Sequence, residues 1–228
     1  MMMALDPAYF TLLGVYNGPW PNLPGYSSLS PLVNGTAGND NIVLTGGLLN
    51  LNVTVNGLGG NDRIDSSSVG LVNSLFGGAG EDQIYGGAGV NTIVGGDGDD
   101  YIDGGGGIDI LDARNAGGGD NGNDTVSYES LSAGLGVILT LNASGGGAAR
   151  SGLNGDTLLG GFENVVGSAY NDTITGNALS NILIGLNGND TLNGGDGNDT
   201  LVGGHGFDTL TGGAGSDRYA FMDSLDLD

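Results

Sequence analysis

The sequence contains no cysteine and no lysine, a single histidine and four arginines. Without cysteine there is no disulfide, no thiolate zinc site and no cysteine nucleophile. A single histidine excludes the zinc-protease helix, which needs two imidazoles on one face. The shortage of base is set against 26 acidic residues, for a formal net charge of −22. Nucleic acid is excluded as a partner, because a binder must neutralise phosphates with basic side chains. Anionic membrane surfaces are disfavoured for the same reason. No run approaches the ~20 apolar residues of a membrane span. There is no DxDxDG run, which removes the EF-hand. GGGDNG (117–122) matches GxGxxG, but no helix-forming segment follows it, so it is not read as a phosphate loop. No His/Ser/Asp or Cys/His constellation can be built around the lone His205, and the chain is read as no enzyme.

Glycine is what the chain has in excess. Its 50 glycines among 228 residues are about three times the usual ~7%. The acids do not form blocks but recur at fixed spacing, the mark of an internal repeat. Residues 167–220 fall into GSAYNDTIT, GNALSNILI, GLNGNDTLN, GGDGNDTLV, GGHGFDTLT and GGAGSDRYA without a gap. Residues 77–112 give GGAGEDQIY, GGAGVNTIV, GGDGDDYID and GGGGIDILD. Looser copies start at Gly35 (GTAGNDNIV), Gly46, Gly57 (GLGGNDRID) and Ser68. The shared pattern is GGxGxDxUx, with U a large apolar residue.

The spacing has a physical reading. Glycines early in the repeat allow positive φ and a sharp turn. Asp at position 6 ends the turn, and x-U-x makes a short strand with one inward side chain. Two repeats, 18 residues, close one coil, so each turn stacks on the turn 18 residues later, about 4.8 Å away. Stacked turns gather two carboxylates and several carbonyls, and calcium takes 6–8 oxygen ligands. The pairs expected in the second run are Asp172/Asp190, Asp190/Asp208 and Asp208/Asp226 on one edge. Asn181/Asp199 and Asp199/Asp217 lie on the other. In the first run Asp82/Asp100 keeps the period, whereas Asp40/Asp62 and Asp62/Asp82 are spaced by 22 and 20. The opposite edge reads Asn73, Asn91, Asp109, an amide ladder needing little calcium.

These repeats resemble the C-terminal β-roll of RTX (repeats-in-toxin) proteins, including serralysin-type secreted metalloproteases. The resemblance runs from about Gly35 to Ala220 and includes DTVSYE (124–129), GVILTLN (136–142) and GDTLLGGFENVVGSAYNDTITGN (155–177). It implies that calcium is held by positions 2, 4 and 6 of one repeat and 1, 3 and 6 of the second repeat onward. Carried over, one site uses Gly78, Gly80 and Asp82 with Gly95, Asp97 and Asp100. Another uses Gly195, Gly197 and Asp199 with Gly212, Ala214 and Asp217. The remaining candidates are Asp40, Asp62, Gly104, Gly106, Asp109, Asp172, Gly185, Asn187, Gly188, Asp190, Gly194, Asp196, Gly203, His205 and Asp208. Glycines, and mostly position 3, act through backbone oxygen. The resemblance further implies several bound Ca2+ ions and a bacterial protein, secreted or at the cell surface, exported by type I secretion. MMMALDPAYFTLLG lacks a basic n-region and is not read as a signal peptide. The family's catalytic zinc motif is missing, and the chain stops at MDSLDLD, short of the family's export region.

The expected fold is all-β: a parallel β-roll, a right-handed β-solenoid, in two blocks. Residues 34–112 form the first roll, 113–166 a bridging β segment and 167–220 the second roll. Residues 1–33, which hold all five prolines and the only tryptophan, cap the first coil, and 221–228 form a C-terminal cap or tail. Within the bridge, VILTL (137–141) reads as a strand and SGGGAARSG (144–152) as a flexible loop. Calcium binding coupled to folding, as a structural and export module of a secreted protein, is the first functional reading. The alternatives are a stand-alone adhesin-like module that binds an extracellular polysaccharide, a cell surface or ice, and a part of a hydrolase whose catalytic domain lies elsewhere.

Overall fold

The computed structural model describes residues 32–44, 52–68, 73–115, 117–119, 122–131, 136–151 and 154–220. The expected caps, apart from Leu32 and Val33, and the Asp226 pairing lie outside the described residues. In chain order the strands are β1 (Leu32–Asn34), β2 (Asn41–Val43), β3 (Thr54–Gly59), β4 (Arg63–Asp65), β5 (Ser74–Ala79), β6 (Gln83–Tyr85) and β7 (Thr92–Asp97). They continue with β8 (Tyr101–Asp103), β9 (Ile110–Arg114), β10 (Asp124–Ser127), β11 (Val137–Leu141), β12 (Gly147–Ser151), β13 (Asn154–Gly160) and β14 (Phe162–Val166). β15 (Thr173–Thr175), β16 (Ile182–Asn187), β17 (Thr191–Asp196), β18 (Thr200–His205), β19 (Thr209–Ala214) and β20 (Arg218–Ala220) follow. Among the described residues there is no helix, and so none long and apolar enough to cross a membrane.

Within the repeats, successive strands alternate between two facing sheets. One runs β1-β3-β5-β7-β9-β13-β12-β11-β15-β17-β19 and the other β2-β4-β6-β8-β10-β14-β16-β18-β20. The pairings are parallel except β11 with β12 and β12 with β13. The fold is therefore all-β, a β-solenoid wound coil upon coil. Register follows position 8: Val55, Leu75, Ile93 and Leu111 stack in one sheet, and Ile64, Ile84 and Ile102 in the other. In the second run Ile174, Leu192 and Leu210 face Leu183 and Leu201. All of these but Leu210 are fully buried, each contributing about 2 kcal/mol of transfer free energy.

Both sheets pass through the bridging segment without a break. β10 lies between β8 and β14, and β13 lies on β9. VILTL forms β11 as expected. The SGGGAARSG stretch is not a flexible loop, because Gly147–Ser151 is β12, antiparallel to both β11 and β13. Gly147 and Ala149 suit that place: a Cβ on Gly147 would strike the Thr140 carbonyl, and Ala149 is buried between its neighbours. Gly147 marks close strand approach, whereas Gly145, at φ 69°, belongs to the turn that joins β11 to β12.

Candidate metal centre

Each edge of the roll carries a ladder of carboxylates. The Oδ1 of the position-6 residue accepts the backbone N–H of the corresponding residue one coil earlier. On one edge Asp40 donates to Asp62 at 2.8 Å, Asp62 to Asp82 at 2.8 Å, Asp82 to Asp100 at 2.9 Å and Asp100 to Asp124 at 2.7 Å. Sheet order carries this edge on to Asn181, which donates to Asp199 at 2.8 Å, and Asp199 to Asp217 at 3.1 Å. On the other edge Asn91 donates to Asp109 at 2.7 Å and Asp109 to Asp156 at 2.8 Å. There Asp172 donates to Asp190 at 2.8 Å and Asp190 to Asp208 at 2.9 Å. The acid-rich edge of the first run is thus continuous with the edge that holds Asn181 in the second.

The second carboxylate oxygen separates two kinds of turn. In the open kind, position 2 has positive φ: Leu58 at 84°, Gly78 at 121°, Gly96 at 133°, Gly105 at 82°, Leu186 at 77° and Gly195 at 107°. The Oδ2 of the matching Asp62, Asp82, Asp100, Asp109, Asp190 and Asp199 is buried and has no hydrogen-bond partner. In the closed kind, position 2 is Thr36, Ser168 or Asn177, none at positive φ. Its N–H turns onto the position-6 side chain: Thr36 to Asp40 at 2.6 Å, Ser168 to Asp172 at 2.6 Å, Asn177 to Asn181 at 2.9 Å. Its side chain accepts the position-4 N–H, as Ser and Asn do in ST- and Asx-turns. Asp172 also accepts from Ser168 Oγ at 2.8 Å and Val137 N–H at 2.6 Å. Both of its oxygens are satisfied without a metal.

Position 1 explains the first glycine of the pattern. A Cβ on Gly77 would strike Asp82 Oδ2 and come within 2.7 Å of the Gly95 carbonyl oxygen. The same holds at Gly185 with Asp190 Oδ2 and the Gly203 carbonyl at 2.5 Å, and at Gly194 with Asp199 Oδ2 and the Gly212 carbonyl at 2.6 Å. Two acceptors therefore face the point that a Cβ would take, and the Oδ2 atoms of Asp82, Asp190 and Asp199 find no donor there. Asn91 shows what such a cradle collects. Its amide nitrogen donates to the carbonyls of Gly87 (3.3 Å), Gly89 (3.1 Å) and Gly104 (3.2 Å) and to Asp109 Oδ1 (3.2 Å). These are positions 2, 4 and, one coil on, 1 and 6. Where Asp replaces this Asn, an oxygen stands in place of the donor, and an oxygen-seeking cation is the group that fits. No three acidic or imidazole side chains gather at one point among the described residues, so the donor set is two carboxylates plus carbonyls.

The carboxylates register this environment. Burial, more than the neighbouring aspartates, pushes Asp82 and Asp190 up to about 6, and Asp100 and Asp109 up to about 7. Asp62, Asp172 and Asp199 are also raised, again first by burial. Without a metal these groups resist ionising.

The candidates carried over from the sequence fall on these edges. Gly78 stacks on Gly96 and Ala79 on Asp97, while Gly80 N–H donates to the Asp97 carbonyl at 2.7 Å. Asp196 stacks on Ala214, and Gly197 N–H donates to the Ala214 carbonyl at 2.8 Å. Asn187 stacks on His205, whose carbonyl accepts Gly188 N–H at 2.9 Å. Gly106 N–H reaches the Gly87 carbonyl at 3.2 Å. The side chains of Asn187, Asp196 and His205 are exposed, leaving only their backbone in the turns. Two ladder members, Asp124 and Asp156, escaped the sequence reading. Both are buried and sit in Asp-Thr-apolar triplets, DTV and DTL, the signal that could have found them.

Comparison with known families agrees with this geometry. The RTX calcium-binding nonapeptide repeat (4 copies) matches residues 52–68, 73–111, 159–192, 176–210 and 193–220, just over half of the chain. No curated protein matches the sequence.

Proposed function

Because the chain belongs to the RTX calcium-binding nonapeptide-repeat family, we propose that it is a calcium-binding roll whose folding is coupled to ion uptake along both edges. The carrying observation is the set of orphaned, buried Oδ2 atoms in the open turns. Calcium, when bound, supplies positive charge and six to eight oxygen contacts. Asp82 with Asp100, and Asp199 with Asp217, would give the carboxylates, and Gly78, Gly80, Gly195 and Gly197 the carbonyls. Two carboxylates at ~5 Å repel by roughly 3 kcal/mol at an effective dielectric of 20. In a calcium-poor cell interior that repulsion and the freedom of the glycines hold the chain open for export. Outside, binding free energy becomes folding free energy, in the ~10⁻⁴–10⁻³ M range of extracellular modules. The chain acts as a secreted bacterial module and carries no catalysis of its own. Far-UV circular dichroism during a calcium titration of chelator-stripped protein, with magnesium as control, tests this. A sharp calcium-specific gain in β signal supports it, and a β spectrum indifferent to both chelator and calcium in ion-free protein overturns it.

A surface-binding module is the second reading, favoured by one observation. Thr173, Thr191 and Thr209 stand in direct register on one sheet, all at exposed outward positions. Calcium-dependent retention on an extracellular polysaccharide would select it.

A further inference from the structure

The two runs meet at a seam that the repeat pattern does not cover. Asp156 lies outside the matched segments, yet its Oδ1 accepts Asp109 N–H at 2.8 Å, the bond that joins coils elsewhere. Asp109 is wholly buried, its turn is of the open kind, and its Oδ2 has no partner. A second orphan lies on the segment paired with this turn, where Ser127 stacks on Asp103. Tyr128 is 3% exposed, and its hydroxyl makes no hydrogen bond. Apart from burial itself, the groups acting on this phenol are the carboxylates of Asp156, Asp103 and Asp109, in that order. Asp103 is satisfied: its Oδ1 accepts Gly105 N–H at 2.8 Å and Ser130 Oγ at 2.7 Å, and its Oδ2 accepts Ser130 N–H at 3.3 Å. It ties the segment carrying Tyr128 to the Asp109 turn. The ion pairs among the described residues, Arg63–Asp65 and Arg114–Asp112, involve none of these groups.

We propose that this seam is a calcium site separate from those built by two repeats. Asp109 and Asp156 supply its carboxylates, the carbonyls of Gly105 and Gly107 its backbone oxygens, and the Tyr128 hydroxyl a hydrogen bond to its shell. Gly105 and Gly107 stand one coil on from Gly87 and Gly89, against whose carbonyls they pack; those are the carbonyls that the Asn91 amide gathers. Asp103 positions the turn and is not a ligand. The inference rests on the calcium reading and deepens it, because an ion here fastens the non-repeat segment to the roll and makes the two runs one cooperative unit.

The test uses the full chain, stripped of metal and reloaded with calcium. Bound calcium per chain is measured by atomic emission, and terbium luminescence is excited through tyrosine. Asp156→Asn keeps an oxygen for Asp109 N–H but removes the charge, so it binds one calcium fewer with unchanged β signal at saturation. Tyr128→Phe keeps the calcium count and loses part of the terbium emission. Undiminished calcium in folded Asp156→Asn, or undiminished emission in Tyr128→Phe, overturns the seam site while the calcium reading stands. Should Asp156→Asn fail to fold, the Tyr128→Phe emission decides alone. Wild-type protein that binds no calcium overturns the wider reading and this one with it.

Discussion

Asp172 and Asp190 stand on the same edge, one coil apart and joined by a 2.8 Å hydrogen bond, yet they face opposite demands. Asp172 accepts Ser168 N–H, Ser168 Oγ and Val137 N–H, and both of its oxygens are satisfied by protein. Asp190 has a buried Oδ2 with nothing to accept from. The aspartate is the same and the strand register is the same. What differs is position 2: Ser168 turns its N–H inward, whereas Leu186 at φ 77° turns it away. Metal demand is therefore set by the backbone at position 2 as much as by the carboxylate at position 6.

Removing calcium should separate the two kinds most strongly. With chelator in excess, the open turns of Asp82, Asp100, Asp109, Asp190 and Asp199 lose their compensating charge, and most of the β signal should disappear. Hydrogen exchange should find protection lost at these turns at higher residual calcium than at the closed turns of Asp40 and Asp172. Simultaneous loss at both would erase the distinction.

Acid should act in opposite directions on the ion-free and ion-loaded forms. In the unfolded chain an Asp titrates near its ordinary ~3.9, while burial holds Asp100 and Asp109 protonated up to about 7 and Asp82 and Asp190 up to about 6 in the metal-free fold. The folded form thus binds more protons between those limits. Its stability is greatest below ~4, falls as pH rises through ~4–7, and changes no further above that window. With calcium present protons compete for the ligands, so the folding midpoint should move to higher calcium as pH drops from ~7.5 to ~5. Dichroism at both pH values, with chelator and with calcium, checks both signs.

Single substitutions sharpen the contrast further. Asp190→Ala should raise the calcium midpoint for folding several-fold. Asp172→Ala should leave that midpoint nearly in place but lower stability at every calcium concentration by about 1–3 kcal/mol, the cost of stranding buried donors. Denaturant melts across a calcium series distinguish a shift in midpoint from a uniform loss.

The sequence carried the fold because one apolar residue in nine, at position 8, can only be buried if the strands stack at that period. Ile93 and Leu192 show it. The 18-residue rule found the partners of Asp82 and Asp190 for the same reason. Asp124 and Asp156 were hidden by their spacing of 24 and 47 from their ladder partners, since an inserted loop or hairpin breaks the count without breaking the register. The open and closed turns were illegible for a different reason. Ser, Thr and Asn at position 2 can bond the N–H two residues on, which permits the closed turn, whereas leucine has no such bond to offer. Ser168 is more than a departure from glycine, because it replaces the ion with donors of its own.

The smallest effect belongs to the leucines that occupy a glycine's place. Leu58 and Leu186 hold positive φ at position 2 of open turns, where an L side chain costs about 1–2 kcal/mol. Glycine removes that strain but gives up unfolded-chain restriction worth about 0.4–1 kcal/mol. Leu186→Gly should therefore stabilise the calcium-loaded roll by no more than ~1.6 kcal/mol and leave the ion count untouched. A calcium-saturated denaturant melt measures it. A clear loss of stability instead would mean that Leu186 earns its position by packing across the turn, and that positive φ there is tolerated rather than required.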